Sequence, residues 1–425
     1  MDLKKMVLEK AKSAKDASYK LLHVTTEKKN EALKLIADEL EKSRQEIKAI
    51  NEKDLENGKK KKLSSAFIDR LTLSDKRIDT MIKNCHDVAK LKDPVGEVTK
   101  EWTVPSGLKI TKRRMPLGVV GIIFESRPNV CIEASTLTLK SGNSVILRGG
   151  SDAINSNIFV AGLIKNGIKK AGLPGGAVEI IEETDRKTIL HLVKIKQFVD
   201  VIIPRGGLEL IRFVEENSVI PVIRHDLGVC HVYVDKEADI DMAVKIAFNS
   251  KVQRPGVCNA METLLVHKDV IDAFMPKIAA EYKKAGVELR ACPEIKRAAG
   301  LMSIYDAGLK DAGEEDWEKE YLDLILAVKS VGSAEEAIEH INNHGSHHTD
   351  SIVTGNAETA EKFLAGVDSG SVMVNASTRF SDGNEYGLGA EMGISNQKLH
   401  VRGPMALEGL TSEKFVIYGT GQVRE

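Results

Sequence analysis

The sequence predicts an α/β protein built on two open, mostly parallel sheets. Short β-branched runs begin at residue 118 and alternate with stretches of helical period, and the same alternation restarts at residue 230. Parallel neighbours need a crossover between them, usually a helix, and this pattern supplies it twice. Ahead of both lies about a hundred residues of helical period. Leu33, Ile36, Leu40, Ile47 and Ile50 recur on one helical face, with Thr25 or Thr26 placed to cap its start. A second helical run opens near Ser74 and carries Ile78, Met81, Ile82 and Val88. The four lysines at 59–62 between them read as a solvated loop. LKITKRR (108–114) alternates as a half-exposed strand does. GVVGIIF (118–124), SVILR (144–148), VEII (178–181) and DVII (200–203) read as buried strands, with helices at 130–140, 152–170 and 208–216 among the connections; VIPVI (219–223) is again apolar and β-branched. The second region runs through CHVYVD (230–235), ETLLVH (262–267), LDLILAV (322–328), SIVTG (351–355) and SVMVN (371–375), and KFVIYG (414–419) closes the chain with a strand.

Composition excludes several functions. The 425 residues hold 61 Lys plus Arg and 62 Asp plus Glu, so the formal net charge is −1 and nucleic acid is not expected as a partner. Aromatics are only 4%, too few for stacking platforms. The longest apolar run, Leu117 to Phe124, is far short of the roughly 20 residues that cross a bilayer. The N-terminus spreads charges through MDLKKMVLEKAKSAKDASYKLL and has no apolar core, so a secretory signal is not expected. Cys85, Cys131, Cys230, Cys258 and Cys292 lie at least 28 positions apart, which argues against a small zinc site or a disulfide framework and fits a reducing cytoplasm.

Three features bear on chemistry. Cys258 sits in QRPGVCNAMETLLVH between a Pro-Gly turn and a strand, with Arg254 four residues earlier. It reads either as a nucleophile, its thiolate favoured by the arginine, or as a core cysteine. ILRGGSDA (146–153) joins a strand to a helix: Gly149 and Gly150 free the backbone, Ser151 offers a hydroxyl, Arg148 offers charge, and the helix start offers N–H groups. That segment suits a phosphate, or it is a tight turn with an outward arginine. IIPRGGLEL (202–210) repeats the pattern with Arg205, Gly206 and Gly207, so the two together could grip one dinucleotide. There is no GxGxxG and no GxxxxGK[ST]. His344, His347 and His348 lack a completing ligand set, so they are expected to face solvent or substrate and no metal is expected.

These segments, with MPLGVVGIIFESRPNV (115–130), GVCHVYVD (228–235), NHGSHHTDSIVTGN (343–356), NASTRFSDGNEYGLGAEMGIS (375–395) and LHVRGPMALEGLTSEKFVIYG (399–419), resemble the aldehyde dehydrogenase superfamily. Within it they resemble the gamma-glutamyl phosphate reductase family over nearly the whole chain. The resemblance implies an aldehyde-dehydrogenase-like fold. A Rossmann-like cofactor domain would span 1–104 and 117–234, a catalytic domain 235–400, and a small β oligomerisation arm 105–116 with 401–425. It implies NADPH-dependent reduction of L-glutamyl 5-phosphate to the 5-semialdehyde, a step of proline biosynthesis. The alternatives are a phosphate-independent semialdehyde dehydrogenase and a silent binding subunit. It places the nucleophile on Cys258 and the oxyanion side chain on Asn129, with Arg127 as the other residue for that place. The carboxylate on the nicotinamide ribose falls on Glu320, and a 2′-phosphate contact on Arg148. Arg127, Arg254 and Arg379 would meet the substrate's anionic groups, or form structural ion pairs, and Asn375 and Ser377 would donate hydrogen bonds. Asp226 in HDLGVC stands nearest the place where hydrolytic relatives carry a water-activating glutamate. The resemblance further implies a cytoplasmic homo-oligomer, with a glutamate 5-kinase as candidate partner.

Overall fold

The computed structural model describes residues 2–225, 227–298, 304 and 309–424. The chain divides into two units, Met1–Arg224 with Gly387–Gly393 and Met405–Glu425, and His225–Tyr386 with Ile394–Pro404.

The first unit opens with helices α1 Leu3–Leu21, α2 Thr26–Lys42, α3 Arg44–Lys60, α4 Ser65–Leu71 and α5 Asp75–Lys90. Asp2, Thr25, Ser64 and Ser74 cap four of them with side-chain oxygens on free N–H groups. The lysine run is not wholly a loop. Helix α3 continues through Lys60, where two lysines in its last turn suit the negative end of the helix dipole. Strand β1 Val98–Thr103 and strand β2 Lys109–Pro116 follow, then β3 Val119–Phe124, α6 Val130–Lys140, β4 Ser144–Gly149, α7 Ile154–Lys170, β5 Val178–Ile180, α8 Lys187–Leu192, β6 Val201–Arg205 and α9 Leu208–Asn217. Four strands form a parallel sheet in the order β5-β4-β3-β6. Every residue of β3 and β4 is buried, as expected for parallel strands covered on both faces. The strand order reverses between β3 and β6, so the carboxyl ends of those two strands flank a switch point. VIPVI contributes only a single bridge, Ile202 to Val222, instead of a strand.

The second unit contains β7 Cys230–Val234, α10 Ile240–Val252, β8 Met261–His267, α11 Ile271–Lys284, β9 Glu288–Ala291, α12 Pro293–Lys296, β10 Leu309–Asp311, β11 Ile325–Val331, α13 Ala334–His344, β12 Thr349–Val353, α14 Ala357–Gly366 and β13 Ser371–Val374. Its seven strands are parallel in the order β10-β9-β11-β8-β7-β12-β13. Strand β7 pairs with β8 on one side and β12 on the other. The unit therefore begins at residue 225, ahead of that central strand, and not at 235 as expected. Phe274, Ile278 and Tyr282 of α11 pack with Leu264 and Val266 of β8 in one core, and Tyr233, Ile341 and Phe363 belong to another.

Strands β14 Gly393–Ser395 and β15 Gly403–Met405 pair with each other, and β16 Thr411–Tyr418 joins β1 and β2 in an antiparallel sheet ordered β1-β2-β16. The arm thus begins at residue 98, before the expected 105. VTKEWT escapes a pattern search because three of its six residues are polar or charged in a row and it shows no alternation. Val98, Phe415, Ile417 and Tyr418 are exposed on this sheet.

Helix α7 contains two glycines in opposite surroundings. A Cβ at Gly162 would meet nothing within 4 Å, whereas one at Gly167 would lie 2.8 Å from the Ile36 backbone N and 2.9 Å from its Cα. Gly162→Ala is therefore expected to stabilise the protein by up to about 1 kcal/mol. Gly167→Ala should destabilise it by about 1–3 kcal/mol, because α2 must move away. Urea unfolding of the two variants checks both signs.

Candidate active site

Cys258 lies in the loop between the end of α10 and the start of β8. The parallel sheet delivers this loop to the carboxyl side of the helix and the amino side of the strand, where the backbone is free of ladder bonds. None of the five cysteines is in a disulfide, and Cys258 alone is partly exposed. Burial pushes the Cys85 thiol up to about 12 and raises those of Cys131, Cys230 and Cys292 as well. A buried thiol that resists ionisation is a poor nucleophile, which leaves Cys258 as the candidate among the five.

The loop is held on several sides. Asn259 is buried and its Nδ2 donates to the Ser381 carbonyl at 2.9 Å. The Cys230 thiol donates to the Cys258 carbonyl at 3.2 Å. Gly228 packs directly on Cys258: a Cβ there would lie 2.1 Å from the Cys258 carbonyl oxygen and 2.5 Å from its Cα. Only glycine permits that approach. The Gly228 N–H donates to Glu320 Oε1 at 3.0 Å, and burial raises the Glu320 carboxyl above the usual range. Glu320 therefore has one oxygen committed to the backbone that touches Cys258.

Arg254 is exposed and Arg379 half-buried in the same unit. The Arg379 Nε donates to Gln253 Oε1 at 2.8 Å. Burial, and then the neighbouring Arg254, lowers the Arg379 pKa, while Cys258 acts in the opposite direction. Two cations and the sulfur thus share one electrostatic environment. Ser377 is buried, lies 3.0 Å from the Ser250 hydroxyl and accepts from the Arg379 N–H at 3.3 Å. Asn375 holds a left-handed φ of 53° and clamps Thr354, accepting from its N–H and donating to its carbonyl at 3.0 Å each. Both residues spend their polar groups on shaping the loops that carry Arg379. Asp226 lies outside the described residues.

The histidines differ from expectation. His348 is buried, with its Nδ1 2.8 Å from Thr349 Oγ1, and burial lowers its pKa to about 3. His347 Nδ1 meets the Asp368 carbonyl at 2.7 Å and His344 faces Glu318. His344 ends α13, and His347 and His348 lie in the turn that leads into β12.

The first unit gathers the remaining predicted residues at the carboxyl ends of its strands. After β3 the chain turns sharply through Ser126, whose φ is 46°, to the exposed Arg127. Asn129 precedes α6, and its Nδ2 donates to Glu133 Oε1 at 2.7 Å. Arg148 ends inward rather than outward. It is buried, and its guanidinium donates to the carbonyls of Thr184 at 2.7 Å and Gly149 at 3.2 Å and to the Thr188 hydroxyl. That work on the 184–188 loop competes with a direct phosphate contact. Gly150 approaches the Glu125 backbone, where a Cβ would lie 3.6 Å from its Cα, and Ser151 is exposed.

Both helix starts are less open than the sequence suggested. Buried Asp54 accepts from the N–H groups of Asn155 and Ser156 at the start of α7. The Glu125 carboxylate accepts from Gly207 N–H at 3.0 Å, just before α9, and crowds Gly206. Arg205 packs on Gly393. The sequence could not show this, since Asp54 and Glu125 are distant in sequence from the N–H groups they cap. Exposed Arg186 and Lys187 on the loop that Arg148 supports are cations the sequence reading missed.

Residues 3–296 match the model of the aldehyde dehydrogenase family. The chain is 50% identical to the gamma-glutamyl phosphate reductase of Thermodesulfovibrio yellowstonii over 425 residues, all of both chains. Its structure resembles the crystal structure of gamma-glutamyl phosphate reductase from Thermotoga maritima, with a TM-score of 0.95 and 46% identity over 99% of this chain and 100% of that one. A glyceraldehyde-3-phosphate dehydrogenase from Methanocaldococcus jannaschii shares the fold at 18% identity, with a TM-score of 0.67 over 98% of this chain and 95% of that one. Full-length identity at this level, joined to a single accessible cysteine among the five, places the chain in the gamma-glutamyl phosphate reductase branch of the aldehyde dehydrogenase family.

Proposed function

We propose that the protein reduces L-glutamyl 5-phosphate to L-glutamate 5-semialdehyde, with NADPH as hydride donor. The observation that carries this reading is Cys258 itself, a partly exposed thiol within electrostatic reach of Arg379 in a chain whose other cysteines are buried. Its thiolate attacks the acyl carbon, the carbon–oxygen bond to phosphate breaks, and phosphate leaves with the electron pair. Arg379, with Arg254 in its electrostatic surroundings, suits a substrate that carries a phosphate and a carboxylate. NADPH, when bound, supplies the hydride that reduces the resulting thioester. The thiohemiacetal oxyanion so formed collapses: the carbonyl re-forms, the carbon–sulfur bond breaks, and the aldehyde departs as the thiolate returns.

The switch point between β3 and β6 supports a dinucleotide in the first unit. Gly206 and Gly207 follow β6 there, Gly150 and Ser151 follow the neighbouring β4, Arg205 ends β6, and Arg148 holds the turn into α8 that displays Arg186 and Lys187. The Methanocaldococcus relative is described in complex with NADP. With the Asn129 amide on Glu133, the Cys258 N–H is our candidate donor to the oxyanion. Asn375 and Ser377 act through Arg379, and Arg127 remains a candidate contact for substrate. The exposed apolar residues and open edges of the arm favour a homo-oligomer. A kinase acting on glutamate would supply the acyl phosphate.

Cys258→Ser should abolish reduction, with a loss above a hundredfold and with far-ultraviolet dichroism unchanged, because a serine hydroxyl without a paired base is a weak nucleophile. Activity within about tenfold of the parent removes Cys258 from the mechanism.

Oxidation of glutamate 5-semialdehyde with NADP should stall near one NADPH per active site until phosphate or arsenate is added, since the thioester needs an oxyanion to accept the acyl group. Sustained turnover without either assigns the chain to the phosphate-independent dehydrogenases.

Gly228→Ala should reduce kcat by about a hundredfold, because the added methyl must displace the Cys258 backbone and an error near 1 Å at the reacting atom costs that much. Measured kcat values with thermal unfolding as a control check it.

A further inference from the structure

Lys251 and Glu262 are two of the most buried charged side chains in the protein, each 0% exposed, and the reaction above uses neither. Lys251 is in the last turn of α10, seven residues before Cys258, and Glu262 is four residues after it on β8. Their Nζ and Oε2 atoms lie 2.5 Å apart beneath the loop. Removing two charges from water costs about as much as their attraction returns, so stability alone does not explain the pair.

The second oxygen of Glu262 points to what the pair does. Glu262 Oε1 accepts from the Leu322 N–H at 3.2 Å. Leu322 is 47% exposed and holds a left-handed φ of 55°, a conformation that a leucine adopts only when its surroundings impose it. Two residues earlier Glu320 holds Gly228, and Gly228 lies against the Cys258 backbone. Between them the Tyr321 ring has Lys251 Nζ at 5.8 Å from its centroid. The Leu322 carbonyl also lies 3.6 Å from where a Gly256 Cβ would stand, so the same segment borders the cysteine loop. Residues 320–322 are thus strapped down by two carboxylate contacts, one at each end.

We propose that Glu262, held by Lys251, is a positioning residue: through the Leu322 N–H it fixes the Glu320–Leu322 strap and thereby the Cys258 backbone on Gly228. The proposal rests on Cys258 being the nucleophile of the reductase reading. Lys251 keeps the Glu262 carboxylate oriented, leaving Oε1 free for the strap.

The test compares two double variants of similar volume, both without buried charge. K251M/E262Q keeps an amide oxygen for the Leu322 N–H, and K251M/E262M removes it. The glutamine variant should retain kcat within about threefold, while the methionine variant loses at least about tenfold in kcat with KM changed less than about threefold. Alkylation of Cys258 by iodoacetamide, followed on its tryptic peptide, should slow at least about threefold in the methionine variant alone. This readout needs neither substrate nor cofactor. Absence of NADPH-dependent turnover in the parent would defeat the reductase reading and still leave the alkylation comparison to decide this one. Equal kcat and equal alkylation in the two variants overturn the proposal, whether both are active or both impaired. Should neither variant fold, hydrogen exchange of the parent decides: a Leu322 amide protected about a hundredfold or more supports the strap, and one that exchanges like an exposed amide overturns it.

Discussion

The contact on which the candidate site depends is the approach of Gly228 to the backbone of Cys258. A glycine without Cβ lets two loop backbones touch, and the touching is directional because the Gly228 N–H is already spent on Glu320. Cys258 is therefore held through its main chain. That arrangement suits the covalent role proposed for its thiol. The sulfur can change partners while the loop beneath it stays still, which is what preorganisation of a reacting atom requires.

Much of the second unit serves this one loop. The interior strand β7 places the Cys230 thiol against the Cys258 carbonyl, and its neighbour β8 starts with Met261 just beyond Cys258. Residues 375–381 contribute Arg379 and a carbonyl for Asn259. Asn375 and Ser377 gain their importance indirectly, since their hydrogen bonds fix the turn that carries the arginine. Burial deactivates every other cysteine, so selectivity for Cys258 comes from where the sheet leaves water access and not from any unusual sequence around it.

In the first unit the helix starts are occupied by the protein's own carboxylates. Asp54 caps α7 and Glu125 caps the turn into α9. A dinucleotide at the switch point would therefore meet side-chain cations and glycine edges more than bare helix N-termini. Arg148 illustrates the same economy: its charge is buried under a loop whose own Arg186 and Lys187 reach the surface.

The alternation of β-branched runs with helical stretches determined the class of fold, both parallel sheets and most of their strands, because local period and burial are set by the side chains themselves. The motif order determined the family and offered Cys258, Arg254, Arg379 and Glu320 among its candidates for the site. Tertiary structure decided what required partners remote in sequence. Strand β7 went to the second unit because it pairs on both sides with strands of that unit. Strand β1 became part of the arm because β2 offered it a partner, not because of its own pattern. Arg148 turned inward, His348 was buried, and the helix starts were capped by Asp54 and Glu125. Glu262 found Leu322 sixty residues away. A sequence shows which side chains can bond, but hydrogen bonds and close backbone contacts across such distances exist only once the strands have brought their loops together.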